Sequence, residues 1–314
     1  MKKFSYSLIL FTLLTIPSLW GQSMDKDVFL EVDGDKIYGS LRVPANVDSP
    51  PVVLIIAGSG PTDRNCNNPQ MTNNAYKMLA DSLEKEGIAT LRYDKRGIAA
   101  SAGAALDEAD LRFEHYVEDA AAWINWLKRD DRFSSVFVFG HSEGALIGML
   151  ASKETHPAGY ISCAGPGRPA DQVIREQVKD QILISKATNE ILDVLLEGRT
   201  VDSIPPILNA LFRPSVQPYL ISWMKYDPAR EISTMASSTL IIQGDTDIQV
   251  GVKDAQLLKE NQPDAELIVI EGMNHVLKPS PMDYLPNIAT YSKPELGLHS
   301  GLVPAITRFI QSNE

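Results

Sequence analysis

The sequence predicts an α/β fold, with a mostly parallel, doubly wound sheet and a helical cap insertion. Three observations predict it. Short runs of Val, Ile and Leu without polar alternation recur along the chain, as in strands buried on both faces of a parallel sheet. Segments with helical apolar spacing separate these runs. One long stretch, residues 166–235, breaks the rhythm and holds no convincing buried strand. Alternating strand and helix imply right-handed crossovers around a single sheet.

The elements follow in order. Residues 27–32 and 36–43 flank the turn Asp33-Gly34-Asp35 and read as an opening hairpin. Buried strands are predicted at 52–57, 88–93, 136–139, 159–163, 239–243 and 267–270. Helices are predicted at 75–86, 114–128, 145–152, 252–261 and 303–311. Gly87 stops the first, and Val117, Ala120, Ala121, Ile124 and Leu127 give the second its apolar face. Residues 166–235 contain a helical segment over 170–184 and prolines at 205, 206, 214, 218 and 228. This insertion is expected over the carboxyl ends of the strands, where ligands bind in open α/β sheets.

Lys2 and Lys3 precede an apolar stretch over 8–19, then Trp20, Gly21 and Gln22. That is a signal-peptide layout, too short for a comfortable membrane span. The expected organisation is a leader over 1–21, a core over 22–165, the cap insertion over 166–235 and the rest of the core over 236–314. Export to the periplasm or medium follows, with no stable membrane span after cleavage. The full chain carries a net charge of −11, and loss of Lys2 and Lys3 takes it to −13. Such acidity disfavours nucleic-acid partners. Cys66 and Cys163 could join in an exported protein, with two unpaired thiols the favoured reading, and no Cys/His cluster has zinc-site spacing.

The chemistry centres on Gly140-His141-Ser142-Glu143-Gly144, between a predicted strand and a predicted helix. A nucleophile in a strained strand-to-helix turn needs small neighbours at minus two and plus two, and Gly140 and Gly144 supply them. Ser142 needs a base to take its proton. His156 lies too early and His299 at the start of the last helix. His275 follows the 267–270 strand, where the base belongs. Asp245 and Asp247 both follow the 239–243 strand; Asp247 has the reach to orient His275, and Asp245 suits the turn. The backbone N–H groups of Glu143 and Ser59 are the expected oxyanion donors, with Gly58 and Gly60 opening the loop around Ser59. Asp63 and Arg64 read as a structural ion pair, with Arg64 contacting a polar or anionic substrate group as the alternative, Asp94 and Arg96 as loop supports, and the Glu143 side chain as solvated. His115 and His141 read as packing or local hydrogen-bonding residues.

On these residues the chain resembles the α/β-hydrolase superfamily, in particular bacterial carboxylesterases of the serine-aminopeptidase-like subgroup. The matching stretches are Ala57-Gly58-Ser59-Gly60-Pro61-Thr62-Asp63-Arg64, Tyr93-Asp94-Lys95-Arg96-Gly97, the Gly140 to Gly144 turn, Gly244 to Asp247 and Asn274-His275. The resemblance implies the α/β-hydrolase fold and cofactor-free hydrolysis of a small-molecule ester through an acyl-enzyme. Ala57 stands where a common oxyanion pattern has His. Serine aminopeptidase and acyl thioesterase are the enzymatic alternatives, and a catalytically inactive binding protein is the non-enzymatic one. No substrate-binding residue is legible, and specificity is expected to lie in the insertion.

Overall fold

The computed structural model describes residues 24–314, so the predicted leader lies outside the described residues. The opening hairpin is β1 (Lys26–Val32) and β2 (Asp35–Arg42), paired antiparallel across Asp33 and Gly34. Then come β3 (Val52–Ile56) and a two-residue hairpin, β4 (Asn67–Asn68) with β5 (Met71–Thr72). Helix α1 (Ala75–Lys85), β6 (Ala89–Tyr93), α2 (Phe113–Lys128), β7 (Val136–His141), α3 (Glu143–Thr155) and β8 (Gly159–Cys163) follow. Between β8 and β9 the described elements are all helical. They are α4 (Ala170–Val178), α5 (Ile182–Leu196), α6 (Asn209–Phe212), α7 (Gln217–Trp223) and α8 (Pro228–Ile232), with single 3-10 turns between. The chain closes with β9 (Ser238–Gly244), α9 (Val252–Asn261), β10 (Glu266–Ile270), α10 (Tyr284–Ala289) and α11 (Leu302–Ser312).

The large sheet has eight strands in the order β1-β2-β6-β3-β7-β8-β9-β10. From β6 to β10 the neighbours run parallel; β2 runs antiparallel to both β1 and β6. Alternate side chains feed two cores, as the period of a strand requires. Val52, Leu54, Ile56, Val136 and Val138 pack with α2, α3 and the helices between β8 and β9. Val53, Ile55, Phe137 and Phe139 pack with α1 and α11. Both faces are covered, which is why these strands read as unbroken apolar runs. Each fully buried Val, Leu or Phe contributes roughly 1.5–3 kcal/mol.

The predicted helix over 170–184 is two helices, with a break at residues 179–181 between α4 and α5. Hairpin β4–β5 and helix α10 are additions that the sequence reading did not place. Cys66 and Cys163 are both buried and unpaired.

Candidate active site

Strand β7 ends at the centre of the sheet, and the chain turns sharply into α3 through Ser142. Ser142 has φ 57° and ψ −124°, a strained backbone for a residue with a Cβ. The flanking glycines are required by contact. A Cβ on Gly140 would collide with the Gly144 carbonyl, and one on Gly144 would lie 2.5 Å from the carbonyl oxygens of Ile56 and Ala57. The turn is held by Ser142 N–H donating to the Cys163 carbonyl at 3.0 Å and by Ala145 N–H donating to the Ser142 carbonyl at 2.9 Å. Gly58 packs against it so closely that a Cβ there would sit 3.1 Å from Ser142 Cβ.

His275 lies in the loop after β10, and Asp247 in the loop after β9. His275 Nδ1 donates to Asp247 Oδ2 at 2.8 Å. Asp247 Oδ1 accepts from the backbone N–H groups of Gln249 (2.8 Å) and Val250 (3.0 Å), and Gln243 Nε2 donates to Oδ2 at 3.1 Å. Burial opposes the charge on Asp247, yet His275 and these donors hold its carboxyl below the ordinary value. Asp245 does something else: its Oδ1 accepts the Gly272 N–H at 2.7 Å and ties the two loops together.

Ser142 and His275 line one cavity of about 230 Å³, together with Gly58, Ser59, Thr62, Cys66, Asn68, Met71, Tyr76, His141, Gln249, Val276 and Tyr291. The structure thus brings Ser142, His275 and Ser59 to one space, with Asp247 behind the imidazole and Glu143 directly after Ser142. Its walls come from the 58–76 loop and from residues 249 and 291, with no lining residue from 166–235. The insertion, expected from the sequence to carry specificity, contributes no residue to the lining of this cavity. Asn73 Nδ2 donates to the Tyr291 carbonyl at 2.9 Å, and buried Lys278 donates to the Asn73 and Lys293 carbonyls, which clamps the two walls together.

His141, inside the turn motif, is almost wholly buried. Its Nε2 lies 2.7 Å from the His275 carbonyl oxygen, so Nε2 carries the hydrogen and Nδ1 accepts from Tyr76 O–H at 2.8 Å. Tyr76 Oη in turn accepts the Gly58 N–H at 3.2 Å. This chain links the Ser59 loop to the backbone of His275. Burial, and then the neighbouring His275, push the His141 pKa down to about 3.

Three side-chain readings change. Glu143 is buried, not solvated: Lys95 Nζ donates to its Oε2 at 3.0 Å and Tyr219 O–H to its Oε1. Arg64 pairs with Asp94 rather than Asp63, through its backbone N–H (2.8 Å) and Nε (3.1 Å). Asp63 Oδ1 instead accepts the backbone N–H groups of Asn65 and Asn67, each at 2.8 Å. These partners lie far apart in sequence or are backbone groups, so no local pattern announces them. Arg96, read as a loop support, forms a two-pronged buried pair with Asp119. Among the described residues, no group of three His, Cys, Asp or Glu side chains is placed to hold a metal ion.

A family model described as serine aminopeptidase, S33, matches residues 70–206, a span that holds Ser142 but neither Asp247 nor His275. The chain is 30% identical over 275 residues to Esterase EstD of Thermotoga maritima, covering 83% of this chain and 65% of that protein's length. It is 27% identical over 220 residues to the monoglyceride lipase of Rattus norvegicus, covering 64% of this chain and 71% of the lipase. Est1E of Butyrivibrio proteoclasticus, solved with ferulic acid bound, superposes with a TM-score of 0.60 at 17% identity, covering 91% of this chain and 98% of that one. Sheet order, crossovers and the structural likeness agree: the chain has the α/β-hydrolase fold, and it spans just under two thirds of the esterase it matches.

Proposed function

We propose that the protein is a serine hydrolase of carboxylic esters that works through an acyl-enzyme. One observation carries the reading: Ser142, on its strained turn, shares a cavity with His275, whose Nδ1 is bonded to buried Asp247. Ser142 Oγ attacks the acyl carbon while its proton passes to Nε2 of His275. The carbonyl oxygen takes the negative charge and is stabilised by the N–H groups of Ser59 and Glu143. Collapse expels the alcohol, which takes the proton from His275. Water then attacks the acyl-Ser142 ester by the same route, with His275 as base and Asp247 orienting it.

The cavity lining supports an ester over the two alternatives. It contains no Asp or Glu to receive a free α-amine, and both Glu143 oxygens are engaged elsewhere. It contains no Lys or Arg to receive the phosphates of an acyl-CoA. A volume of about 230 Å³ suits a small acyl group. Turnover of short p-nitrophenyl esters against amino-acid anilides tests this. Ester turnover without anilide turnover is expected, and reaction of the anilides alone overturns it.

The layout of Lys2, Lys3 and the apolar residues after them supports export with removal of residues 1–21. N-terminal sequencing of the protein from the periplasm or medium is expected to begin at Gln22. An intact Met1 in all fractions contradicts it.

A further inference from the structure

Lys95 stands beneath the nucleophile turn, its side chain 1% exposed and that of Glu143 2% exposed. Its Nζ donates to the Gly58 carbonyl oxygen at 2.7 Å and to Glu143 Oε2 at 3.0 Å. The Tyr116 ring lies 4.8 Å from the same Nζ, and Tyr219 O–H completes the carboxylate. The two groups that Lys95 joins are not arbitrary. The Gly58 carbonyl belongs to the same peptide unit as the Ser59 N–H. Glu143 owns the other N–H of the oxyanion site.

We infer that Lys95 is a positioning residue that sets the spacing of the two oxyanion donors and polarises the Gly58–Ser59 peptide. This rests on the ester-hydrolase reading and deepens it. A cationic donor on a carbonyl draws electron density toward oxygen and makes the N–H of that amide a stronger donor. The same ammonium ties the 58–60 loop to the first residue of α3, so the donors cannot drift apart. A buried ion pair adds little net stability over apolar side chains of similar volume. A role in the geometry of the site accounts for this one better than a role in folding.

The test compares wild type with Lys95→Met/Glu143→Gln, which removes both charges together and leaves none buried alone. Steady-state turnover of a p-nitrophenyl ester is measured beside inhibition by a trifluoromethyl ketone and by its unreactive methyl ketone counterpart. With the trifluoromethyl ketone, Ser142 Oγ adds to the carbonyl carbon, its proton moves to His275, and the carbonyl electron pair becomes an oxyanion. The variant is expected to lose at least about tenfold in kcat, with KM within about twofold. Affinity for the trifluoromethyl ketone should fall by the same factor, and affinity for the methyl ketone should hold. Should the double variant fail to unfold cooperatively, Lys95→Gln/Glu143→Gln, which keeps an amide donor at position 95 and leaves no charge buried alone, carries the same test with a smaller loss. Unchanged kcat, or equal loss of affinity for both ketones, overturns the inference. A wild-type protein that forms no ketone adduct overturns the ester-hydrolase reading first, and this one with it.

Discussion

Asp247 Oδ2 accepts the Nδ1 hydrogen of His275 at 2.8 Å, with both residues less than a tenth exposed. The bond fixes the imidazole tautomer and leaves Nε2 as the basic nitrogen. Two aspartates compete for this role in the sequence; Asp247 bonds to His275, and Asp245 accepts the Gly272 N–H. Asp247→Asn should lower kcat by about 10³–10⁴ while the protein stays folded. Asp245→Asn weakens only the bond to the Gly272 N–H and should cost no more than about tenfold. Reversed losses would reassign the acid.

His141 makes stability depend on pH in a defined window. Its folded pKa is lowered to about 3 from an ordinary 6.5. Between those values the unfolded chain holds the proton and the folded chain does not. Stability from this residue is therefore complete above pH 6.5 and falls as pH drops toward 3, by at most about 1.4 kcal/mol per pH unit. Urea unfolding from pH 4 to 7.5 should show this slope in wild type, and a slope smaller by that amount in His141→Gln. Identical slopes would contradict the assignment.

The nucleophile turn should hold strain that activity requires. Ser142→Gly removes the Cβ from a position at φ 57° and should raise stability by about 1 kcal/mol while abolishing turnover. Gly144→Ala should do the opposite, at a cost above about 3 kcal/mol, because its Cβ meets two backbone carbonyls. Thermal unfolding of the two variants settles both signs.

Acyl selectivity should follow the cavity wall. Met71→Trp fills space in the cavity that Ser142 lines and should raise the acetate-to-butyrate ratio of kcat/KM by about tenfold or more. Ile207→Ser, on an exposed turn of the insertion, should leave that ratio within about twofold. An equal response in both would return specificity to the insertion.

The sheet and the turn were legible because their causes are local. Apolar runs such as Val52–Ile56 need only the period of a strand, and Gly140 and Gly144 are forced by contacts within one turn and its neighbour strand. That His275 and Asp247 would meet was legible from chain order. The Glu143 environment was not, because its partners Lys95 and Tyr219 lie 48 and 76 residues away. The cavity wall was hidden for a similar reason: Lys278 joins residue 73 to residue 293 through carbonyl oxygens, which every residue carries. Tyr76 and His141 are 65 residues apart and meet only in the fold.

The central claim is that Ser142 is the nucleophile, activated by His275. Labelling the folded protein with a fluorophosphonate, followed by peptide mass spectrometry, tests it most directly. One adduct per chain on Ser142 is expected, absent in Ser142→Ala and slowed at least about 10³-fold in His275→Ala. No adduct, or an adduct on another residue that survives Ser142→Ala, would contradict it.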